Sequence, residues 1–155
     1  ESLGRFKLRL PFYTPEQLGA VYEHGPVELE VVVTMCMELR RALADAKMEE
    51  TVCIACSSHC GAILNTLMLL GAFLVLEQGL PAVDVCQQLL GSQNGGGQLP
   101  ALKFPTPWRA AVVHSNDALT VQDCLFGLEA AVAHGWLDYA NIDLQARRET
   151  LHAKD

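Results

Sequence analysis

The chain has 155 residues, half of them hydrophobic, and a formal net charge of −7. That length suits one domain with one sizeable core, and the apolar content excludes a disordered chain. The acidic balance argues against general nucleic-acid or anionic-membrane binding, both of which need Lys/Arg-rich faces. The longest apolar run, Gly61 to Leu76, falls short of the roughly 20 residues that a membrane span needs. Six cysteines in a chain with this much core need no disulfide framework, so they read as reduced thiols of an intracellular protein.

From the N-terminus, Phe6-Lys7-Leu8-Arg9-Leu10 alternates apolar and basic residues, the pattern of a half-exposed strand that Pro11 ends. Thr14-Pro15-Glu16 has the form of an N-cap with proline at the first helical position, and predicts a short helix to about Glu23. Pro26 opens a longer helix, with Glu28 and Glu30 in its first turn and Arg40 and Arg41 late in it. Leu29, Val32, Cys36, Leu39 and Leu43 form its expected apolar seam. A polar hinge around Lys47 to Glu50 then leads into the stretch that organises the rest.

Thr51-Val52-Cys53-Ile54-Ala55 is a short apolar run that reads as a strand buried on both faces. A polar turn, Cys56-Ser57-Ser58-His59-Cys60-Gly61, separates it from a helix to Leu76 that is apolar on almost every side and therefore belongs in the core. In α/β folds such a junction is where anions and catalytic groups sit, because the helix N-terminus offers free N–H groups and partial positive charge.

Gln78-Gly79-Leu80-Pro81 breaks the chain before another proline-initiated helix to about Leu90, and Gly91 to Gln98 is a flexible loop. Pro100, Pro105 and Pro107 predict irregular or edge structure between Leu99 and Val113. Trp108 among them suits a partner contact or a core position equally. A last helix is well marked. Thr120 and Asp123 have capping-box spacing, Val121, Leu125, Leu128 and Val132 share a face, and Gly135 suits the residue after the C-cap. Trp136 and Tyr139 are expected to pack over its end. The tail from Gln145 is charged and reads as a frayed helix or a linker.

Strand, Cys, short loop and apolar helix is the layout of the protein tyrosine phosphatases, where a nucleophilic Cys starts a loop of backbone amides and an Arg six residues later clamps the phosphate. Here that pattern fails. Six positions on from Cys53 stands His59, from Cys56 Ala62, and from Cys60 Thr66. No Arg occurs between Arg41 and Arg109, and no Lys between Lys47 and Lys103. A phosphate would meet amides, the hydroxyls of Ser57 and Ser58, and His59, and the Cys would have no nearby cation to make it a thiolate.

Several stretches resemble one phosphatase family in consistent order, from about Tyr13 to Gln145. Tyr22-Glu23-His24-Gly25-Pro26-Val27-Glu28-Leu29 resembles that family's "FGPLNL" lead-in to a helix. Cys56 followed by Asn65 and Leu69-Leu70-Gly71-Ala72-Phe73 resembles its loop and "LIGAY" helix. Leu119-Thr120-Val121-Gln122-Asp123-Cys124-Leu125-Phe126-Gly127-Leu128, then His134-Gly135-Trp136-Leu137-Asp138-Tyr139, is similar to "LTILDCLQGI…HGFFDF". The family is the cell-division-cycle-fourteen dual-specificity phosphatases, and the part resembled is their N-terminal domain, which is catalytically inactive and shapes the substrate groove.

The resemblance implies an α/β fold, protein tyrosine phosphatase-like, with a central mostly parallel sheet flanked by helices in a single domain. Residues 1–145 would form that domain and residues 146–155 a charged tail or linker. Cys56, Ser57, Ser58, His59, Cys60, Gly61 and Ala62 would be a degenerate phosphate loop, with no catalytic residue and no cofactor. The family's loop is rich in Arg and Lys where this one reads CSSHCGA, which removes the cations an anion site would use. The implied role is a scaffold, protein-binding or groove-shaping module. Its partner would be a protein, a phosphatase-like catalytic domain or a cytoskeletal assembly among them. By family analogy the address is cytoplasm, nucleus, or cytoskeleton and cilium.

Two other readings stand beside this one. The chain is a fragment of an active dual-specificity phosphatase whose catalytic domain lies outside it. Alternatively, Cys53, Cys56, His59 and Cys60 supply enough ligands for zinc, or Cys53 and Cys56 a redox pair. Against the latter, strand residues alternate faces, the zinc motif has no distant second half, and Cys53 sits within the strand. His24, His114 and His134 stand next to turns or caps and read as structural, and Glu49 and Glu50 as a solvated turn.

Overall fold

The structure, a computed structural model, describes residues 5–8, 25–46, 51–54, 60–90 and 119–142. Strands β1 (Arg5–Leu8) and β2 (Thr51–Ile54) pair in parallel, with Phe6 opposite Val52 and Leu8 opposite Ile54. Among the described residues, the expected central sheet is represented by this pair alone. The helices are α1 (Leu29–Asp45), α2 (Cys60–Leu76), α3 (Ala82–Leu90) and α4 (Val121–Ala133), followed by a 3₁₀ turn at Tyr139–Asn141. The expected short helix after Thr14, the loop from Gly91, the proline-rich segment and the charged tail lie outside the described residues.

Helix α2 is the centre of the core and packs against α1, α3 and α4. Every residue from Gly61 to Leu69 is buried, in keeping with a largely apolar stretch that holds no charge. Its one sharply polar interior residue, Asn65, is wholly buried, while the Thr66 hydroxyl donates back to the Ala62 carbonyl at 2.7 Å. The helix passes so close to α4 that a Cβ at Gly71 would lie 2.6 Å and 2.8 Å from the two Leu125 methyl carbons. At the end of α2, Gly79 turns at φ 65°, and the Leu80 N–H donates to the Leu74 carbonyl at 3.1 Å.

Helix α1 begins at Leu29 rather than at Pro26, with Glu28 as an extended N-cap residue. Ahead of it, the Gly25 carbonyl and the Val27 N–H are bound sideways by Asn65. The buried stripe of α1 is Val32, Val33, Met35, Cys36, Leu39 and Ala42. This corrects the expected seam, because Leu29 and Leu43 face water.

Helix α4 has the predicted capping box. Asp123 N–H donates to Thr120 Oγ1 at 3.1 Å, and Thr120 N–H donates to Asp123 Oδ2 at 2.9 Å. Val121 and Leu125 are buried and Leu128 half-buried, but Val132 is exposed. Gly135 takes φ 69° beyond the C-cap as expected. Trp136 does not pack over the helix end. It is 79% exposed, its ring stacked on His134 at 4.9 Å, and Tyr139 packs against the core in its stead.

Candidate functional site

The strand–loop–helix junction is the candidate site. Of its seven predicted residues, Cys60, Gly61 and Ala62 open α2, with Gly61 and Ala62 buried. Cys56, Ser57, Ser58 and His59 lie outside the described residues. The same holds for two of the four zinc candidates, Cys56 and His59, whereas Cys53 sits in β2 and Cys60 heads α2. Among the described residues no three His, Cys, Asp or Glu side chains come together as a metal site.

Just inside the junction, α2 spends its polar side chain on structure. Asn65 Oδ1 accepts the Val27 N–H at 2.9 Å, and Asn65 Nδ2 donates to the Gly25 carbonyl at 3.3 Å. A buried backbone segment must find partners for its N–H and C=O groups, and one amide side chain satisfies both here. The chain entering α1 is thereby locked to the first turns of α2.

The far end of α2 carries the charge. Arg40 of α1 binds Glu77 in a fork, with Nη2 to Oε1 at 2.5 Å and Nε to Oε2 at 2.9 Å. The Tyr139 hydroxyl donates to Glu77 Oε1, and Arg40 Nη2 reaches that hydroxyl at 3.5 Å. Burial pushes the Glu77 carboxyl up, but the hydrogen bonds from Arg40 and Tyr139 outweigh it and leave the group below its ordinary range. Glu77 holds the Arg40 guanidinium still more firmly protonated. Burial, then the bond to Glu77, pushes the Tyr139 phenol up.

At 1.5 Å per residue, Glu77 stands about 25 Å along α2 from Cys60. Arg40 is therefore no phosphate clamp for the junction. Arg41 is engaged as well, by Glu38 on its own helix at 3.3 Å. The described thiols are also unsuited to nucleophilic work. Cys36, Cys86 and Cys124 are free, but burial raises all three, Cys36 to about 12 and Cys124 to about 11, with nearby carboxylates adding to it.

Two of these arrangements escaped the sequence reading. A lone Asn inside an otherwise apolar helix is a signal for a buried amide with partners, although it does not say which. The Arg40–Glu77–Tyr139 cluster joins residues 37 and 62 positions apart in the chain, which no local pattern registers. Helix α4 adds a further contact of this kind, where Glu129 Oε1 accepts the Ala82 N–H at 3.0 Å and caps α3 from outside. His24, His114 and Trp108 lie outside the described residues.

This helical arrangement, around a junction without its arginine, is a phosphatase-like domain, and the chain belongs to the family of dual specificity protein phosphatase N-terminal halves, which matches residues 20–131. Among individual relatives, it is 26% identical over 129 residues to the tyrosine-protein phosphatase cdc-14 of Caenorhabditis elegans. That match takes in 79% of this chain and 17% of the worm protein. The described helices contain none long and apolar enough to cross a membrane.

Proposed function

We propose that this chain is a non-catalytic, phosphatase-like domain whose work is protein–protein interaction. The observation that carries the reading is the missing arginine in the β2–α2 junction sequence. None of Cys53, Cys56 and Cys60 has an Arg six residues on. Arg40 is taken up by Glu77 at the opposite end of α2. Without that arginine the loop lacks the group that clamps a phosphate and favours a cysteine thiolate, which supports reading Cys56 to Ala62 as a remnant loop.

The domain would comprise residues 1–145, with 146–155 as a tail, and would need no cofactor. Its setting would be intracellular and linked to cell division, in keeping with the family. Its partners would be proteins, a phosphatase-like catalytic domain or a cytoskeletal assembly among them.

A second reading has its own support. The family is described as an N-terminal half, and the match spans 17% of the worm phosphatase. On that reading the domain shapes the substrate groove of a larger enzyme, whose Cys-x5-Arg signature would follow Asp155 in the parent gene.

The test is a pull-down from cell extract with this chain as bait, with and without prior dephosphorylation of the extract. Partners indifferent to dephosphorylation support a scaffold that uses ordinary protein surface. Partners lost on dephosphorylation would mean that the loop reads phosphate through its amides, contrary to this reading.

A further inference from the structure

Helix α4 is apolar on both sides. Its inner side, Val121 and Leu125, is in the core, yet Phe126, Ala130 and Ala133 follow at i, i+4 and i+7 on the outer side. Phe126 is 40% exposed. Beyond the C-cap, Trp136 is 79% exposed and held by its stack on His134. The outer side thus presents two alanines, Ala130 half-buried and Ala133 exposed, with an aromatic ring towards each end. At 1.5 Å per residue, the stretch from Phe126 to Ala133 runs about 10 Å, two turns of a helical ligand.

Within the segment that carries it the charge has one sign, while Arg40 of α1, bound to Glu77, reaches the Tyr139 hydroxyl at 3.5 Å. From Leu119 to Ile142 there are three carboxylates, Asp123, Glu129 and Asp138, and no Lys or Arg. Their described bonds are to neutral donors: the Thr120 N–H and hydroxyl for Asp123, the Ala82 N–H for Glu129 and the Asn141 amide for Asp138. A pre-set indole two residues before the Asp138 carboxylate, on an acidic segment, favours a cation, because an ammonium or guanidinium is drawn to both the ring face and the charge.

We propose that the outer face of α4, from Phe126 to Trp136, docks a basic amphipathic helix of a partner protein. The partner's apolar residues would lie on the alanines between the two rings, and its Lys or Arg residues would flank Trp136 and Asp138. A second copy of this chain is disfavoured as the occupant, since it would bring the same acidic face. The proposal rests on the protein-binding reading and names the class of partner.

The test uses the full chain and three fluorescent 18-residue peptides. One is a Leu/Lys amphipathic helix, one carries Glu in place of every Lys, and one has the Leu/Lys composition scrambled to destroy the apolar face. Fluorescence anisotropy at physiological salt should show saturable binding of the Leu/Lys helix, weakened at least fivefold by Trp136→Ala and by Phe126→Ala. Both positions are exposed, and far-UV circular dichroism confirms that each variant is folded. Equal binding of the Glu or scrambled peptide, or Leu/Lys binding unchanged in both variants, would overturn the proposal. So would a dimer seen by light scattering that Trp136→Ala dissolves, because the occupant would then be a second copy. If extract partners are captured equally well by Trp136→Ala, this inference fails while the protein-binding reading stands.

Discussion

Asn65 on α2 and Val27 at the lead-in to α1, 38 residues apart, are joined by a buried hydrogen bond of 2.9 Å from the Val27 N–H to the Asn65 side-chain oxygen. This bond ties the lead-in of α1 to the helix that leaves the candidate loop. Asn65→Ala would leave a buried N–H without its partner and open a polar gap. A loss of about 2–3 kcal/mol in unfolding free energy is expected. Urea denaturation checks this; a change under about 0.5 kcal/mol would show that the bond does not hold the segment.

The close packing of α2 on α4 at Gly71 depends on that residue having no side chain, since the Leu125 methyl carbons occupy the space. Leu125 is itself wholly buried and has nowhere to move. Gly71→Val should destabilise the domain by about 2 kcal/mol or more through overpacking. Combined with Leu125→Ala, the two changes should compensate in part, so that a double-mutant cycle gives a coupling of about 1 kcal/mol or more. Strict additivity would contradict the close packing.

Stability should fall in acid through Glu77. Its folded-state pKa is depressed, so its contribution is fully present above the unfolded carboxylate value of 4.5 and is lost as pH drops through the lower folded value. Arg40 faces water, which screens the pair, so Glu77→Gln is expected to cost only about 1 kcal/mol at neutral pH. The telling readout is the slope: thermal melting of Glu77→Gln below pH 4.5 should fall less steeply than that of the parent chain. Parallel acid profiles would mean that Glu77 is not the linked group.

On the alkaline side the linked groups include the raised thiols, among them Cys36, which burial raises from 9.0 to about 12. A raised folded value makes its contribution complete below pH 9.0 and progressively lost as pH rises towards 12. Melting temperature should therefore decline above pH 9, and less so in Cys36→Ala relative to its own neutral value. In the native chain at pH 8, iodoacetamide should leave Cys36 and Cys86 unmodified and reach them on unfolding. Rapid native alkylation of Cys36 would contradict its burial.

What the sequence reveals divides by range. The Thr120–Asp123 box and the Gly135 turn are written within a few residues, because caps satisfy backbone groups locally. The buried state of α2 is legible too, since Gly61 to Leu76 contains no charge to place in water. The orientation of α1 is not. Its apolar residues circle most of the helix, and only the neighbouring packing decides that Met35 and Ala42 go inside while Leu29 and Leu43 stay out. Trp136 and Tyr139 were indistinguishable as caps for α4. The difference is made by Glu77, 62 residues earlier, which gives Tyr139 a hydroxyl partner in the interior and leaves Trp136 to His134 at the surface. Of the candidate loop, sequence alone speaks for Cys56 to His59, and what it says is the missing arginine.

That absence is the centre of the account, and one assay addresses it directly. The purified chain is incubated with a chromogenic phosphotyrosine mimic, alongside Cys56→Ser and a buffer blank. The account predicts no hydrolysis above the blank by either protein at any pH from 5 to 8. Turnover by the parent chain that disappears in Cys56→Ser would contradict it, because the loop would then hold a working nucleophile without the cation that this chemistry requires.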